Sequence, residues 1–347
     1  MEEGRGPHRM HRWPFRADAV SATPEPHRID LLVALVTTEC QLRCRYCSMR
    51  AGDVPREDLS EDTFALALKN LPIAPGAQLQ IAGGEPGLVP ERVFAIARHA
   101  RRGGFARIGV QTNAVDLDDR FLAFVREEKI GVGVSLDGPA DVNDFWRGRT
   151  DDVLANLKRL NDAGIPFGVT TVLTRGSLAS LPRLAMLLAT FPQARSIGLD
   201  LLRPVGRGDS VDLPTGAKVT KAYRDLSATL AWINRRRERP LVLREDGMID
   251  CAAADTYCPA EAGRAVVLSP SGALFPCSSL VGRPEHACGS AADPDLAALR
   301  RGLRSPKNGC ATCSVAGCRG RCPSRALASP KAAALDCVLR RAAQDIK

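Results

Sequence analysis

Short apolar runs alternate with longer helical patterns from residue 30 to about residue 237, and this alternation limits the possible folds. Repeated strand–helix units predict a parallel sheet with helices packed outside it. Six units are too few to close an eight-stranded barrel. The sequence therefore predicts an α/β fold, a partial (β/α)6 TIM-like barrel over residues 29–240. The six predicted strands are Ile29–Thr37, Gln78–Gly83, Arg107–Asn113, Gly131–Asp137, Phe167–Leu173 and Ser196–Leu202.

The pattern changes near residue 240. Residues 241–347 are rich in Gly, Pro and Ser and hold nine of the twelve cysteines. Their apolar runs are too few to build a core alone, so we expect a small, irregular iron–sulfur domain whose folding depends on metal. Residues 1–28 are predicted to be a flexible lead-in.

The formal charge of +9 is carried mostly by Arg. A net positive charge is typical of proteins that bind nucleic acid or anionic ligands, but no dense run of basic residues supports a nucleic-acid partner. No segment reaches the length of a membrane helix, and the N-terminus lacks the apolar stretch of a signal peptide. We therefore expect a cytoplasmic protein without a membrane partner. Disulfides are disfavoured there, so twelve cysteines indicate metal or redox chemistry.

Three cysteines, Cys40, Cys44 and Cys47, form a C-x3-C-x2-C array directly after the first predicted strand. Ligands of such barrels gather at the C-terminal ends of the strands. A structural zinc site needs four ligands, whereas a [4Fe–4S] cluster held by three thiolates leaves one iron open. An open iron can bind a small chelating molecule. A three-cysteine zinc loop is the alternative.

This array, with Tyr46 in its aromatic position, resembles the radical S-adenosylmethionine (SAM) superfamily. The resemblance implies that the open iron chelates SAM. It also implies one-electron cleavage of SAM to a 5′-deoxyadenosyl radical, which abstracts a hydrogen atom from the substrate. A flavodoxin- or ferredoxin-type reductant is the expected electron donor.

Other residues at the predicted strand ends agree with the same resemblance. The stretch GGEP, which ends the second strand, is implied to contact the SAM amino group, and Arg147 resembles an arginine that meets the SAM carboxylate. Thr112 is expected to line the mouth with its polar neighbours. Asp200 on the sixth strand is a candidate to reach the substrate, or else a structural carboxylate. The expected SAM-binding residues are Tyr46, Gly83, Gly84, Glu85, Pro86, Asn113, Ser135, Asp137 and Arg147.

The C-terminal cysteines resemble the SPASM extension of radical SAM enzymes, which carries two auxiliary [4Fe–4S] clusters. Gly272 and Cys277 give G-x4-C, and a C-x2-C-x4-C-x3-C run follows, with x4 where the family usually has x5. A pair of zinc knuckles is the alternative. Cys288 is left over, as a candidate hydrogen donor or an inert buried thiol. The resemblance implies one cluster on Cys251, Cys258, Cys277 and Cys322, and a second on Cys310, Cys313, Cys318 and Cys337.

The expected substrate is a small natural-product molecule, a sugar or nucleoside that is dehydrogenated, epimerised or decarboxylated. Ser278 follows Cys277 where sulfatase-maturing relatives have an Asp, which argues against that activity. The alternative is crosslinking or oxidation of a ribosomal peptide, although peptide-modifying members often begin with a leader-recognition domain and this lead-in is short. A different class is an iron–sulfur electron-transfer or nucleic-acid-binding protein without chemistry of its own.

Overall fold

A computed structural model describes residues 27–245, 256–304, 310, 313–315 and 318–346. Most of the predicted lead-in and one predicted ligand, Cys251, lie outside the described residues. The described strands are β1 Ile29–Leu35, β2 Ile73–Ala82, β3 Arg107–Thr112, β4 Gly131–Ser135, β5 Phe167–Leu173, β6 Ala194–Leu201, β7 Val242–Glu245, β8 Ala265–Leu268 and β9 Leu274–Phe275.

These strands form one open sheet in the order β7-β6-β5-β4-β3-β2-β1-β8-β9. Each neighbouring pair is parallel except β8 and β9, which are antiparallel. Strands β1 to β6 stand side by side in chain order, as consecutive βα units require. The predicted partial barrel is therefore confirmed, and all six predicted strands are present. Strand β2 begins earlier than predicted, at Ile73.

Helices cover this sheet and connect its strands. Ser60 caps the first helix because its side chain accepts a hydrogen bond from the Thr63 amide at 3.0 Å. The fifth helix ends just before Gly164, whose φ of +69° suits the residue after a helix. The helices are α1 Glu61–Asn70, α2 Pro90–Arg102, α3 Asp119–Glu127, α4 Ala140–Trp146, α5 Thr150–Asp162, α6 Leu181–Ala189, α7 Gly216–Asn234, α8 Leu296–Arg301, α9 Pro323–Ala328 and α10 Pro330–Gln344.

Regular structure continues past the boundary predicted at residue 240. Strand β7 pairs with β6 at one end of the sheet, and β8 pairs with β1 near the other. Helix α10 packs against α7 and β6. The C-terminal third therefore extends the barrel sheet on both sides, which the sequence analysis did not predict.

One apolar core fills the space between the sheet and its helices. It includes fully buried residues of the barrel strands, such as Leu32, Leu79 and Ile197, together with Leu335 and Leu339 of α10. In the part of the chain that the structure describes, no helix has the length and apolar character needed to cross a membrane.

Candidate active site

A pocket lies at the C-terminal ends of the barrel strands, lined by residues from β2, β3, β4, β5 and β6 and from the loop after β1. Parallel barrels place their ligands at this end of the sheet. Other lining residues include Gln111, Arg203 and Arg207. Eleven of the predicted site residues line the pocket together, namely Cys40, Cys44, Tyr46, Cys47, Gly83, Gly84, Thr112, Asn113, Ser135, Arg147 and Asp200.

The three thiols of the loop after β1 share this pocket. Cys40 and Cys44 are buried, and Cys47 is half-buried. Burial raises the pKa of Cys40 to about 11, and burial also raises the pKa of Cys44, while the Arg147 guanidinium opposes that rise. Thiols with raised pKa values stay protonated in the free chain. Binding of a metal centre here must therefore release protons.

Whether an iron–sulfur cluster fits this site depends on the donors around the three thiols. Within the described residues, no three His, Cys, Asp or Glu side chains converge as ligands of a single ion. The Asn113 amide nitrogen lies 3.8 Å from the Cys40 sulfur, and an Arg147 guanidinium nitrogen lies 3.9 Å from the Cys44 sulfur. Soft thiol donors with N–H groups directed at their sulfur atoms suit a cluster. The residues present fit that group.

Asp137 lies behind the pocket wall and organises it. Its carboxylate, fully buried, accepts hydrogen bonds from the Arg147 Nε at 3.1 Å, from the Val172 amide at 2.9 Å and from the Tyr46 hydroxyl. The Arg147 guanidinium also lies over the Tyr46 ring, 5.2 Å from its centroid, and Trp146 packs beside that ring. Arg147 therefore forms a buried ion pair with Asp137. Its predicted contact with the SAM carboxylate stays a prediction, as do the SAM-binding roles of Tyr46 and Asp137.

Glu85 of the GGEP stretch turns away from the pocket, while Gly83 and Gly84 line it. The buried Glu85 carboxylate accepts hydrogen bonds from the Thr112 hydroxyl at 2.5 Å, the Asn113 amide at 2.6 Å and the Gly87 amide at 2.8 Å. Burial raises the pKa of Glu85 to about 7, and these three donors oppose the rise.

The close approach of GGEP to the cysteine loop depends on Gly84. A methyl group at Gly84 would lie 1.9 Å from the Glu39 carbonyl oxygen. The Gly84 amide donates to the Thr37 carbonyl at 2.7 Å, and the Glu85 amide donates to the Glu39 carbonyl at 2.8 Å. Pro86 is buried and starts a short 3₁₀ turn, Pro86–Leu88, outside the pocket lining. The stretch thus supports the entry to the cysteine loop, and its contact with SAM stays a prediction.

Asp200 lies on the opposite wall, near the end of β6. The Arg203 Nη1 donates to both Asp200 oxygens at 2.6 Å, and the Arg325 Nη1 donates to Oδ1 at 3.2 Å. Arg325 is fully buried. Two guanidinium groups therefore hold this carboxylate in place. The substrate contact expected of Asp200 stays a prediction, but its position in the pocket wall permits one.

Each arginine of the pocket lining is paired with a carboxylate. Arg203 pairs with Asp200, and Arg207 pairs with Asp53 at the rim. Arg147 pairs with Asp137. Each of these three guanidinium groups is therefore already engaged in an ion pair.

Some C-terminal cysteines approach one another. Burial raises the pKa of Cys258 to about 12, and the nearby Cys277 and Cys322 raise it further. Cys258 and Cys277 pack against the same small apolar cluster. The Arg321 Nε lies 3.1 Å from the Cys337 sulfur, and Cys310 is close enough to act on the same guanidinium. These groupings follow the predicted sets, whose ligand roles stay predictions.

Cys288 is buried in the main apolar core, and its thiol lies 3.7 Å from the His286 carbonyl oxygen. It is not among the residues that line the pocket. Its role as a hydrogen donor stays a prediction, and none of its described contacts reaches the three-cysteine loop.

Two features of the site were missed from the sequence. Arg325 comes from the cysteine-rich region, where its contact with β6 left no local pattern. The Gly206–Arg207–Gly208 stretch packs against the cysteine loop. Its two glycines around one arginine, directly after the sixth strand, were the available signal.

A family model and several relatives match this chain over part of its length. A family model described as the radical SAM superfamily matches residues 35–180. An uncharacterized protein of Methanocaldococcus jannaschii is 27% identical over 72% of this chain and 85% of its own length. A GTP 3′,8-cyclase of Rhodopseudomonas palustris is 32% identical over 47% of this chain and 50% of its own. A cysteine-type anaerobic sulfatase-maturating enzyme of Clostridium novyi is 22% identical, covering 43% and 45%. The matches to the two named enzymes span half of each or less.

Solved structures share the fold over most of the chain. The protein anSMEcpe with bound AdoMet aligns with a TM-score of 0.70 at 17% identity, covering 92% of both chains. Streptococcus suis SuiB bound to its precursor peptide SuiA aligns with a TM-score of 0.67 at 16% identity, covering 88% of this chain and 74% of SuiB. At these identities the likeness concerns the fold.

Proposed function

We infer that this chain, whose residues 35–180 match the radical SAM superfamily, is an enzyme that uses a [4Fe–4S] cluster and SAM. From that premise we propose that it modifies a side chain of a peptide. Cys40, Cys44 and Cys47 would hold the cluster, and the cluster and SAM together would supply the chemistry that removes one hydrogen atom from the substrate. The chain's own residues hold these groups and orient the substrate against them.

The ion pairs of the pocket arginines carry this proposal. Arg147, Arg203 and Arg207 line the pocket, and each is already paired with a carboxylate. A phosphorylated or otherwise anionic substrate needs an arginine that is able to pair with it. Neutral hydrogen-bonding side chains such as Gln111 and Ser135 suit the amide groups of a peptide. The pocket is therefore better matched to a peptide than to an anionic small molecule.

The aromatic content of the lining supports the same choice. Tyr46 is the one aromatic residue among the described residues that line the pocket. Its ring is flanked by Arg147 and Trp146, and its hydroxyl bonds to Asp137. A nucleobase is usually held by stacking on an exposed aromatic face. With SAM bound, the described lining offers no further aromatic face for the base of a nucleoside substrate, which favours the peptide.

The shared fold also supports a peptide substrate, because SuiB was solved with its precursor peptide and aligns with most of this chain. The expected sugar or nucleoside has less support, because the relative whose name specifies a nucleotide, the GTP 3′,8-cyclase, matches only 47% of this chain. We further propose that the C-terminal cysteines form a SPASM-type region with two auxiliary [4Fe–4S] clusters on the sets given above, and that a flavodoxin- or ferredoxin-type protein is the electron donor.

The test is formation of 5′-deoxyadenosine. The full chain is reconstituted without oxygen, mixed with SAM and dithionite, and 5′-deoxyadenosine is quantified by mass spectrometry. Parallel reactions contain a panel of short peptides or a panel of sugars, nucleosides and nucleotides. The Cys40→Ala/Cys44→Ala/Cys47→Ala variant is the negative control. Arg175→Gln, which breaks only an exposed ion pair with Asp212, controls for substitution itself.

Peptide-stimulated 5′-deoxyadenosine, with a mass change on the peptide, supports the proposal. Stimulation by the sugar and nucleoside panel alone would overturn the peptide assignment and leave the radical chemistry standing. No 5′-deoxyadenosine from any mixture, with the clusters shown to be intact, would favour the electron-transfer alternative.

A further inference from the structure

The Gly206–Arg207–Gly208 stretch after β6 lies directly on the cysteine loop. A methyl group at Gly206 would lie 2.5 Å from the Cys47 carbonyl oxygen, and φ at this position is +64°. A methyl group at Gly208 would lie 3.2 Å from the Tyr46 carbonyl oxygen. The contact at Gly206 is closer than a side chain tolerates, and the contact at Gly208 is tighter than most side chains make. The two glycines therefore permit a backbone approach that brings Arg207 to the loop.

Arg207 bonds to the cysteine loop through its backbone and its side chain. Its amide donates to the Cys47 carbonyl at 2.9 Å, and its Nε donates to the Cys44 carbonyl at 2.8 Å. Its Nη2 donates to the Ala51 carbonyl at 3.3 Å, and its Nη1 pairs with Asp53. The side chain is only 17% exposed. One residue thus contacts the loop at its second cysteine, its third cysteine and its exit.

Asp53 connects Arg207 to a second arginine at the start of the loop. The Arg43 Nε pairs with Asp53 at 3.0 Å. The Arg43 Nη1 donates to the Cys40 carbonyl at 2.5 Å, and its Nη2 donates to the Gly52 carbonyl at 2.7 Å. The carbonyls of Cys40 and Cys44 are therefore fixed by two guanidinium groups that share one carboxylate. Charge-assisted hydrogen bonds of this kind are stronger than those between neutral groups.

We propose that Arg207 is a positioning residue that, with Asp53 and Arg43, fixes the geometry of the three cysteines and, through its positive charge, raises the reduction potential of the cluster they hold. The charge and the hydrogen bonds around its ligands affect the reduction potential of a cluster. The proposal rests on the family's cluster at Cys40, Cys44 and Cys47 and is independent of the substrate.

The test uses Arg207→Gln, which removes the charge, and Arg207→Lys, which keeps the charge and loses the forked geometry. Gly206→Ala displaces the Gly206–Arg207–Gly208 stretch while the arginine itself is kept. Arg175→Gln is the matched control, since it breaks an exposed Arg–Asp pair away from the cysteines. Three quantities are measured without substrate: the alkylation rates of Cys44 and Cys47 in the apo-protein, the iron bound per chain, and the midpoint potential of the SAM-responsive EPR signal.

In Arg207→Gln, the alkylation rate of Cys44, divided by its thiolate fraction from the pH dependence of the rate, should be about tenfold higher, because one lost charge-assisted hydrogen bond changes an opening equilibrium by about that factor. Its midpoint potential should fall, while Arg207→Lys should keep a potential close to that of the wild type. Gly206→Ala should bind less iron. Thermal melts of the apo-proteins show whether each variant is folded, and Asp53→Asn replaces any variant that is not.

Alkylation rates and potentials in Arg207→Gln that equal those of Arg175→Gln would overturn the proposal. Faster alkylation with an unchanged potential would support the geometric part and refute the electrostatic part. Neither result depends on turnover, so failure here is distinct from failure to modify a peptide.

Discussion

At the scale of single residues, Glu85 shows how burial and hydrogen bonding oppose each other. Three donors converge on its carboxylate, which favours the ionised form. Burial favours the neutral form more strongly, and the pKa of Glu85 is raised from 4.5 to about 7. Its carboxylate holds the ends of β2 and β3 together. The contact of its stretch with SAM stays a prediction.

The raised pKa of Glu85 makes stability depend on pH. The pKa of Glu85 is higher in the folded state than in the unfolded state. Its contribution to the free energy of unfolding is therefore fully present below pH 4.5 and is lost as the pH rises to about 7. The expected loss is on the order of 3 kcal/mol, from about 1.4 kcal/mol per unit of pKa shift. Urea unfolding of the apo-protein between pH 4.5 and 8 measures this loss. In Glu85→Gln this part of the pH dependence should disappear. Parallel pH profiles for the two proteins would contradict the expectation.

At the scale of elements, the cysteine loop between β1 and α1 is supported on two sides. The end of β2 supports its entry through Gly84, and the stretch after β6 supports its middle through Gly206 and Gly208. Neither support lies near the loop in sequence. The three cysteines alone therefore do not define the geometry of the site.

Gly84→Ala tests the support at the entry. The new methyl group would lie 1.9 Å from the Glu39 carbonyl oxygen, so the loop must move. We expect the reconstituted protein to bind less iron at the three-cysteine loop, with a weaker SAM-responsive EPR signal. Gly131→Ala is the matched control, since its methyl group would meet no atom closer than 3.7 Å. Equal iron contents in the two variants would mean that the loop adapts without loss.

The sequence was informative where a pattern is local. The six barrel strands alternate with helices, so their period and spacing were enough to place them. The residues that line the pocket could be predicted because parallel strands end at the same edge of the sheet. Strand β8 was missed, since four apolar residues carry no periodic signal and their partner β1 is far away in the chain. The contact of Arg325 with Asp200 was missed for the same reason, because tertiary packing alone creates it.

At the scale of the whole molecule, a buried polar network joins the cysteine-rich region to the barrel. Arg325 of α9 donates to Asp336 of α10 at 2.7 Å, to the Tyr257 hydroxyl at 3.0 Å and to the Leu201 carbonyl at the end of β6 at 3.1 Å. Asp336 also accepts from the Cys322 amide at 3.0 Å. A predicted auxiliary-cluster ligand is thereby connected through two residues to the pocket wall.

Replacing Arg325 should destabilise the protein strongly. Arg325→Met leaves Asp336 buried without its guanidinium partner, and breaking a buried pair in this way costs about 3–5 kcal/mol. Adding Asp336→Asn should recover part of that loss, because the uncompensated charge is removed. Urea unfolding of the apo-proteins measures both changes. Arg183→Met removes an exposed pair with Asp141 and should leave the midpoint unchanged. Equal effects of the two single variants would show that the buried network adds no stability.

The pairing of β8 with β1 also bears on how the chain is made. Leu31 of β1 lies beside Ala265 of β8, so one side of the first strand has no partner until the last third of the chain has left the ribosome. A nascent chain that already holds β1 to β6 still exposes an unpaired apolar strand edge. Such edges are templates for pairing with other chains. Slow translation or premature termination before residue 265 therefore leaves a species prone to aggregation, and complete synthesis is what covers that edge.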